Sequence, residues 1–210
     1  MEIVKYTNFE LDEHVYGKNE LVGILDKTGG FIYESLYDIK TPLYNGNLPV
    51  NIFLAFGAKN KKLKANLISE LEIGKELLKR PLKNLSTTET VKILSIKMML
   101  SDCKTILFDF PDSYFNYKDL EKFLKTIRTH LKEANKTAIF TTNKPDNLLF
   151  GSKYIVVNDQ SIIYNGNDFK SLPEPIETVE FAHLANTRGA KLDDYKEPSD
   201  LLKAIYRSVQ

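Results

Sequence analysis

The stretch from Leu85 to Ile127, LSTTETVKILSIKMMLSDCKTILFDFPDSYFNYKDLEKFLKTI, decides the fold. It carries a helix, a strand and a second helix, in that order. Ser86-Thr87-Thr88-Glu89 stands ahead of a pattern that puts Val91, Leu94 and Met98 on one side, so Ser86 or Thr87 supplies an N-cap. TILFDF, 105–110, is a short apolar run that ends in an acid and a proline, which predicts a buried strand. Beyond it, Leu120, Phe123, Leu124, Ile127 and Leu131 fall at i, i+3, i+4, i+7 and i+11, one face of an amphipathic helix.

The same alternation extends outward in both directions. Upstream, LVGIL (21–25) predicts a strand, DKTGG a glycine turn and FIYESLYDI a helix, and VNIFLAF (50–56) reads as another strand. KNKKLKANLISELEIGKELLKR then predicts one or two helices whose lysines face solvent. Downstream come the strand TAIFTT (137–142), the polar loop NKPDN, and KYIVVN with SIIYNG as a hairpin turning at Asp159-Gln160. Strands separated by helices predict an α/β fold, a mostly parallel sheet with flanking helices and a meander at its end. The proline-containing LPEPIE opens a tail, 172–210, in which TVEFAHLANTRG stops at Gly189 and PSDLLKAIYRSV starts at Pro198 or Ser199. That tail is either a cap docked on the parent domain or a small partner-binding module.

Composition narrows the function classes. The 210 residues, 42% hydrophobic and 27% charged, suffice for one well-buried domain with a small appended piece. Twenty-nine basic and 28 acidic residues leave a net charge of +1, so no nucleic acid partner is expected. A single cysteine, Cys103, excludes an internal disulfide, and His14, His130 and His183 share no metal spacing; no metal site is expected. The start, MEIVKYTNFELDEH, has no signal-peptide pattern and no apolar run reaches membrane-spanning length, which predicts a cytoplasmic chain.

The order of the motifs resembles the nucleotide-binding domain of the ATP-binding-cassette (ABC) family, across roughly residues 9 to 167. Leu85 and Ser86 match the start of its Leu-Ser-Gly-Gly signature, Thr87 and Thr88 replace the glycines, and Glu89 matches a common next residue. Asp109 and Pro111 match the Asp-Glu-Pro that ends the Walker B strand, with Phe110 between them. TAIFTTNK resembles the strand leading to the switch histidine, whose place is held by Asn143; KYIVVNDQSIIYNG resembles the last hairpin; NELVGILDKTGGFIYESL resembles the strand, phosphate loop and helix. The resemblance implies a P-loop NTPase-like (ABC ATPase-like) domain over 1–171, with a shortened helical subdomain at about 58–100 and a C-terminal helical extension at 172–210.

What nucleotide chemistry needs is mostly replaced. A Walker A loop, Gly-x-x-x-x-Gly-Lys-Ser/Thr, curls backbone around phosphate, neutralises it with lysine and holds Mg²⁺ with a hydroxyl. Aligned on Gly29, the chain offers Asp26, Phe31, Ile32 and Tyr33 at the four defining places. Phe110 cannot polarise water as a glutamate would, Asn143 carries no protonatable ring, and the only glutamines, Gln160 and Gln210, lie far from a Q-loop. The expectation is therefore a degenerate domain that does not hydrolyse ATP, with Gly29, Gly30, Ser86 and Asp109 as vestigial nucleotide-binding residues and no catalytic residue. No cofactor is expected, ATP with Mg²⁺ entering only if the degenerate site still binds.

The resemblance further implies a protein partner, either a competent ABC-type ATPase or a second copy, with a membrane subunit beyond it through which the chain would be membrane-associated. The alternative is an active ATPase in which Lys27 or Lys144 serves as a displaced phosphate clamp. A phosphate loop after Leu25, with Asp109 ending the neighbouring strand, distinguishes both from an unrelated α/β binder. The beginning of the chain leaves no room for the family's usual N-terminal strand pair, so Tyr6 is expected in the core or at the surface with no special role.

Overall fold

A computed structural model of the protein describes residues 4–27, 31, 39–56, 60–159 and 161–208. Six strands form one sheet: β1 (Val4–Thr7), β2 (Leu21–Asp26), β3 (Thr105–Phe108), β4 (Thr137–Thr142), β5 (Lys153–Asn158) and β6 (Ser161–Gly166), in the spatial order β1-β3-β4-β2-β5-β6. The four inner strands run parallel, and β1 and β6 close the edges antiparallel. All six residues of β2 are buried, the near-continuous apolar run of a strand covered on both faces, whereas β6 is largely exposed. A Cβ on Gly23 of β2 would lie 2.8 Å from the Phe140 ring, so this glycine makes room for the aromatic of β4.

The helices are α1 (Glu13–Tyr16), α2 (Val50–Phe53), α3 (Lys61–Glu70), α4 (Lys75–Lys79), α5 (Thr87–Leu100), α6 (Tyr117–Ala134), α7 (Glu177–Thr187) and α8 (Pro198–Ser208). Helix α6 buries the face its sequence predicts, Leu120, Phe123, Leu124, Ile127 and Leu131. Asn116 caps it by accepting from the Asp119 amide, and Asn135 ends it at φ 52°. Phe123 stacks on Phe115 with centroids 4.9 Å apart and meets Phe108 of β3 edge-on at 5.2 Å, which clamps the helix to the sheet.

Two expectations change. VNIFLAF is not a strand: Val50–Phe53 is helical, with Val50, Phe53 and Leu54 buried and Ile52 and Phe56 exposed, a spacing of i, i+3 and i+4. Pro49 leads into that turn, and the Val50 amide donates to the Arg80 carbonyl, a partner supplied 30 residues away. The strand at 105–110 stops at Phe108, because Phe110 turns left-handed at φ 45°. The described residues begin with a strand that had no sequence signal, β1, whose Tyr6 exchanges backbone hydrogen bonds with Lys40 and packs on the core. The helix expected over 31–39 and the glycine turn expected at Gly29 and Gly30 fall largely outside the described residues.

In the tail, Leu172, Ile176 and Val179 pack with Leu25, Leu148, Tyr154 and Val156, so its start docks on the β2/β5 side of the sheet. Helices α7 and α8 then share a small cluster of their own around Ala182, Leu192 and Leu201. Among the described residues, no helix is long and apolar enough to cross a membrane.

Candidate functional site

The carboxyl ends of the parallel strands gather Asp26, Asp109, Thr141, Thr142 and Asn143 along one edge of the sheet, the place where open α/β sheets bind ligands. Asp109 does not follow the neighbour of β2, as the sequence suggested. Strand β4 lies between β2 and β3, because its residues 138–142 are buried on both faces and claim a central place.

Asp109 follows β3 directly and is only 6% exposed. Its Oδ2 receives the Lys5 ammonium at 3.0 Å, and the Thr141 hydroxyl donates to its Oδ1 at 3.3 Å. The Phe110 amide in turn donates to Thr141 Oγ1 at 2.8 Å, which fixes the left-handed turn into Pro111. Asp112, just beyond, accepts from the Thr142 hydroxyl at 3.0 Å and from Asn147 Nδ2 at 2.9 Å. Asp26, at 1% exposure, accepts the Phe31 amide at 3.0 Å, so the residue aligned with the first glycine of the loop motif in the sequence is a buried carboxylate that accepts from backbone. Gly29 and Gly30 lie outside the described residues.

Ser86 stands exposed at the start of α5 in a capping box: its hydroxyl accepts the Glu89 amide at 3.2 Å, and Glu89 Oε2 accepts the Ser86 amide at 2.8 Å. The Thr88 hydroxyl donates to the Tyr114 carbonyl at 3.0 Å, which brings this helix end against the turn after Asp109. Lys27 pairs with Glu174 at 2.7 Å. Exposed Asn143 and Lys144 line a cleft of about 570 Å³ together with Asp112, Phe115 and Tyr117. Burial raises the Tyr117 hydroxyl above the ordinary tyrosine range, reinforced by Glu121, Glu197, Asp146 and Glu177. His130 binds Glu70 at 3.0 Å, and among the described residues no group of three or more acidic, histidine or cysteine side chains is arranged to hold a metal ion.

Sequence reasoning singled out Asp109 and Ser86 but missed Lys5, Thr141, Asp112 and Asn147. Thr141 and Thr142 were visible as two polar residues ending an apolar strand. Lys5 had no local signal, since only the pairing of β1 with β3 brings it to the acid.

This sheet, with its strand-end acid and capped helix opposite the following turn, is the fold of an ABC nucleotide-binding domain. No protein-family model matches the sequence. The chain is similar to the energy-coupling factor transporter ATP-binding protein EcfA1 of Mycoplasmopsis pulmonis, 27% identical over 138 residues, covering 62% of this chain and 52% of that protein. It therefore spans about half the length of the curated relative it matches. Among solved structures it is similar to cbiO1 from Clostridium perfringens, part of the ABC transporter complex cbiONQ, with a TM-score of 0.59 at 16% identity, covering 89% of this chain and 96% of that one. An inward-facing putative metal-chelate type ABC transporter gives a TM-score of 0.54 at 19% identity over 79% and 81% of the two chains.

Proposed function

We propose that this chain is a degenerate ABC-type domain that does not turn over ATP and acts as a binding, regulatory or accessory subunit of an ABC transporter-like complex. The observation that carries the reading is the ion pair between Lys5 and Asp109, followed by Phe110 where a water-polarising carboxylate would stand. The residues do not suit magnesium nucleotide. Both Asp109 oxygens already accept donors, Asp26 and the buried Phe31 stand at glycine places of the loop motif, and a buried carboxylate repels phosphate. On this reading Gly29, Gly30, Ser86 and Asp109 are vestigial nucleotide-binding positions, Ser86 serving as a helix cap and Asp109 as an ion-pair partner, and no cofactor is required.

The partner on this reading is a competent ABC-type ATPase or a second copy, with a membrane subunit beyond it, as the names of the relatives suggest. The chain itself sits on the cytoplasmic side. Calorimetric titration with ATP, with and without Mg²⁺, tests the reading at concentrations that detect millimolar binding, about 4 kcal/mol. The expected result is no saturable heat and no phosphate release. Saturable Mg²⁺-dependent binding with turnover would replace it by the active-ATPase alternative.

A further inference from the structure

We infer that Lys5 is a built-in cation: its ammonium holds the seat on Asp109 that a divalent metal ion would otherwise take. The inference rests on the proposed reading that this edge works without magnesium nucleotide. Its basis is the register of the first strand. Lys5 pairs with Leu107 and Val4 with Phe108, so side-chain alternation puts Lys5 and Leu107 on one face of the sheet. Asp109, two residues beyond Leu107, continues that face as the diagonal neighbour of Lys5, a separation a lysine stem spans. Val4 meanwhile turns to the opposite face and is fully buried, which fixes the register and hence the reach of Lys5.

Both charged groups are largely removed from water, with side chains 13% and 9% exposed. A carboxylate this buried needs a counter-charge, and the chain supplies one from its own edge strand. A divalent ion would have to displace the ammonium and find further oxygen ligands. Asp26 cannot help, because it ends a strand two places away, roughly 9–10 Å at normal strand spacing. The Thr141 hydroxyl is already turned toward the carboxylate it would have to share with the metal.

The test follows thermal melting of the nucleotide-free full chain and its Lys5→Met, Asp109→Asn and double variants, with Mn²⁺ from zero to 10 mM as probe. The wild-type midpoint is expected not to move with Mn²⁺. Each single variant should melt about 5 °C lower or more, and the double variant should lose less than the two singles added together. Lys5→Met should recover part of its loss with Mn²⁺, while Asp109→Asn should not. Strictly additive losses, or a Lys5→Met variant no more responsive to Mn²⁺ than the wild type, would overturn the inference. So would a wild-type rise with Mn²⁺ that Asp109→Asn abolishes. Should Lys5→Met fail to fold, Lys5→Gln and Lys5→Arg replace it, with Arg expected to retain the wild-type midpoint and metal indifference and Gln to behave as Met. Because no nucleotide is present, failure here is distinct from ATP binding or turnover by the wild type, which is what would defeat the proposed function.

Discussion

The Phe110 amide and the Thr141 hydroxyl meet at 2.8 Å, and that one oxygen joins the turn after β3 to the end of β4 while its proton points at Asp109. Thr141 is 2% exposed, so no water replaces it. Thr141→Val keeps the shape and removes both bonds. It should cost about 1–3 kcal/mol in denaturant unfolding, most of it from the stranded amide. Thr141→Ser should retain most of the stability.

On the proposed reading Phe110, at φ 45°, stands where the ABC family's catalytic glutamate would, and the sequence has Ile32 where the phosphate-loop lysine would fall. Phe110→Glu alone should therefore release phosphate from ATP no faster than the wild type. A turnover signal in that variant, absent from Phe110→Gln, would show that the rest of the apparatus is intact.

Ser86 works as a helix cap, with its hydroxyl and its amide both engaged by Glu89. Ser86→Ala should lower stability by about 1 kcal/mol, and Ser86→Asp should restore most of it, since aspartate caps as well. A nucleotide-contacting serine would not be rescued by a negative charge.

The reading of these elements from sequence succeeded where the signal was local. Helix α6 was legible because five apolar residues keep helical period over three turns, and the β5–β6 hairpin because its two runs flank a polar turn at Asp159. Val50–Phe56 misled because a short apolar run fits a buried strand and a helix alike, and its outcome is set by Pro49 and by the distant Arg80 carbonyl. Asp109 was legible as a strand-end acid. Its cation was not, since a lysine in VKYT becomes its neighbour only after β1 pairs with a strand 100 residues on.

Lys136 offers a pH test. It is 3% exposed, and its ammonium donates to the Ser101 carbonyl at 2.8 Å and to the Cys103 carbonyl. Burial pushes its pKa below the ordinary lysine value of 10.5, with Cys103 opposing the shift. Between the lowered folded value and 10.5 the unfolded chain binds the extra proton, so this group makes stability rise with pH in that window. Below the window its charge is present in both states and the desolvation cost is constant. Lys136→Met should remove this rise from the pH profile of unfolding and should also destabilise the chain at neutral pH, by leaving two carbonyls without their donor. A wild-type profile no steeper than that of Lys136→Met would refute the assignment.

The first strand reaches its partner late. During synthesis residues 4–7 leave the ribosome about a hundred residues ahead of 105–108, so the edge strand waits for its β3 partner while α1, β2 and the α3 and α4 segments emerge. Such a distant pairing carries a large loop-closure cost and belongs to the slow part of folding. The nascent chain therefore closes the β1 edge of its sheet by recruiting a segment made about a hundred residues earlier, and Asp109 meets its counter-charge only when that segment closes over it.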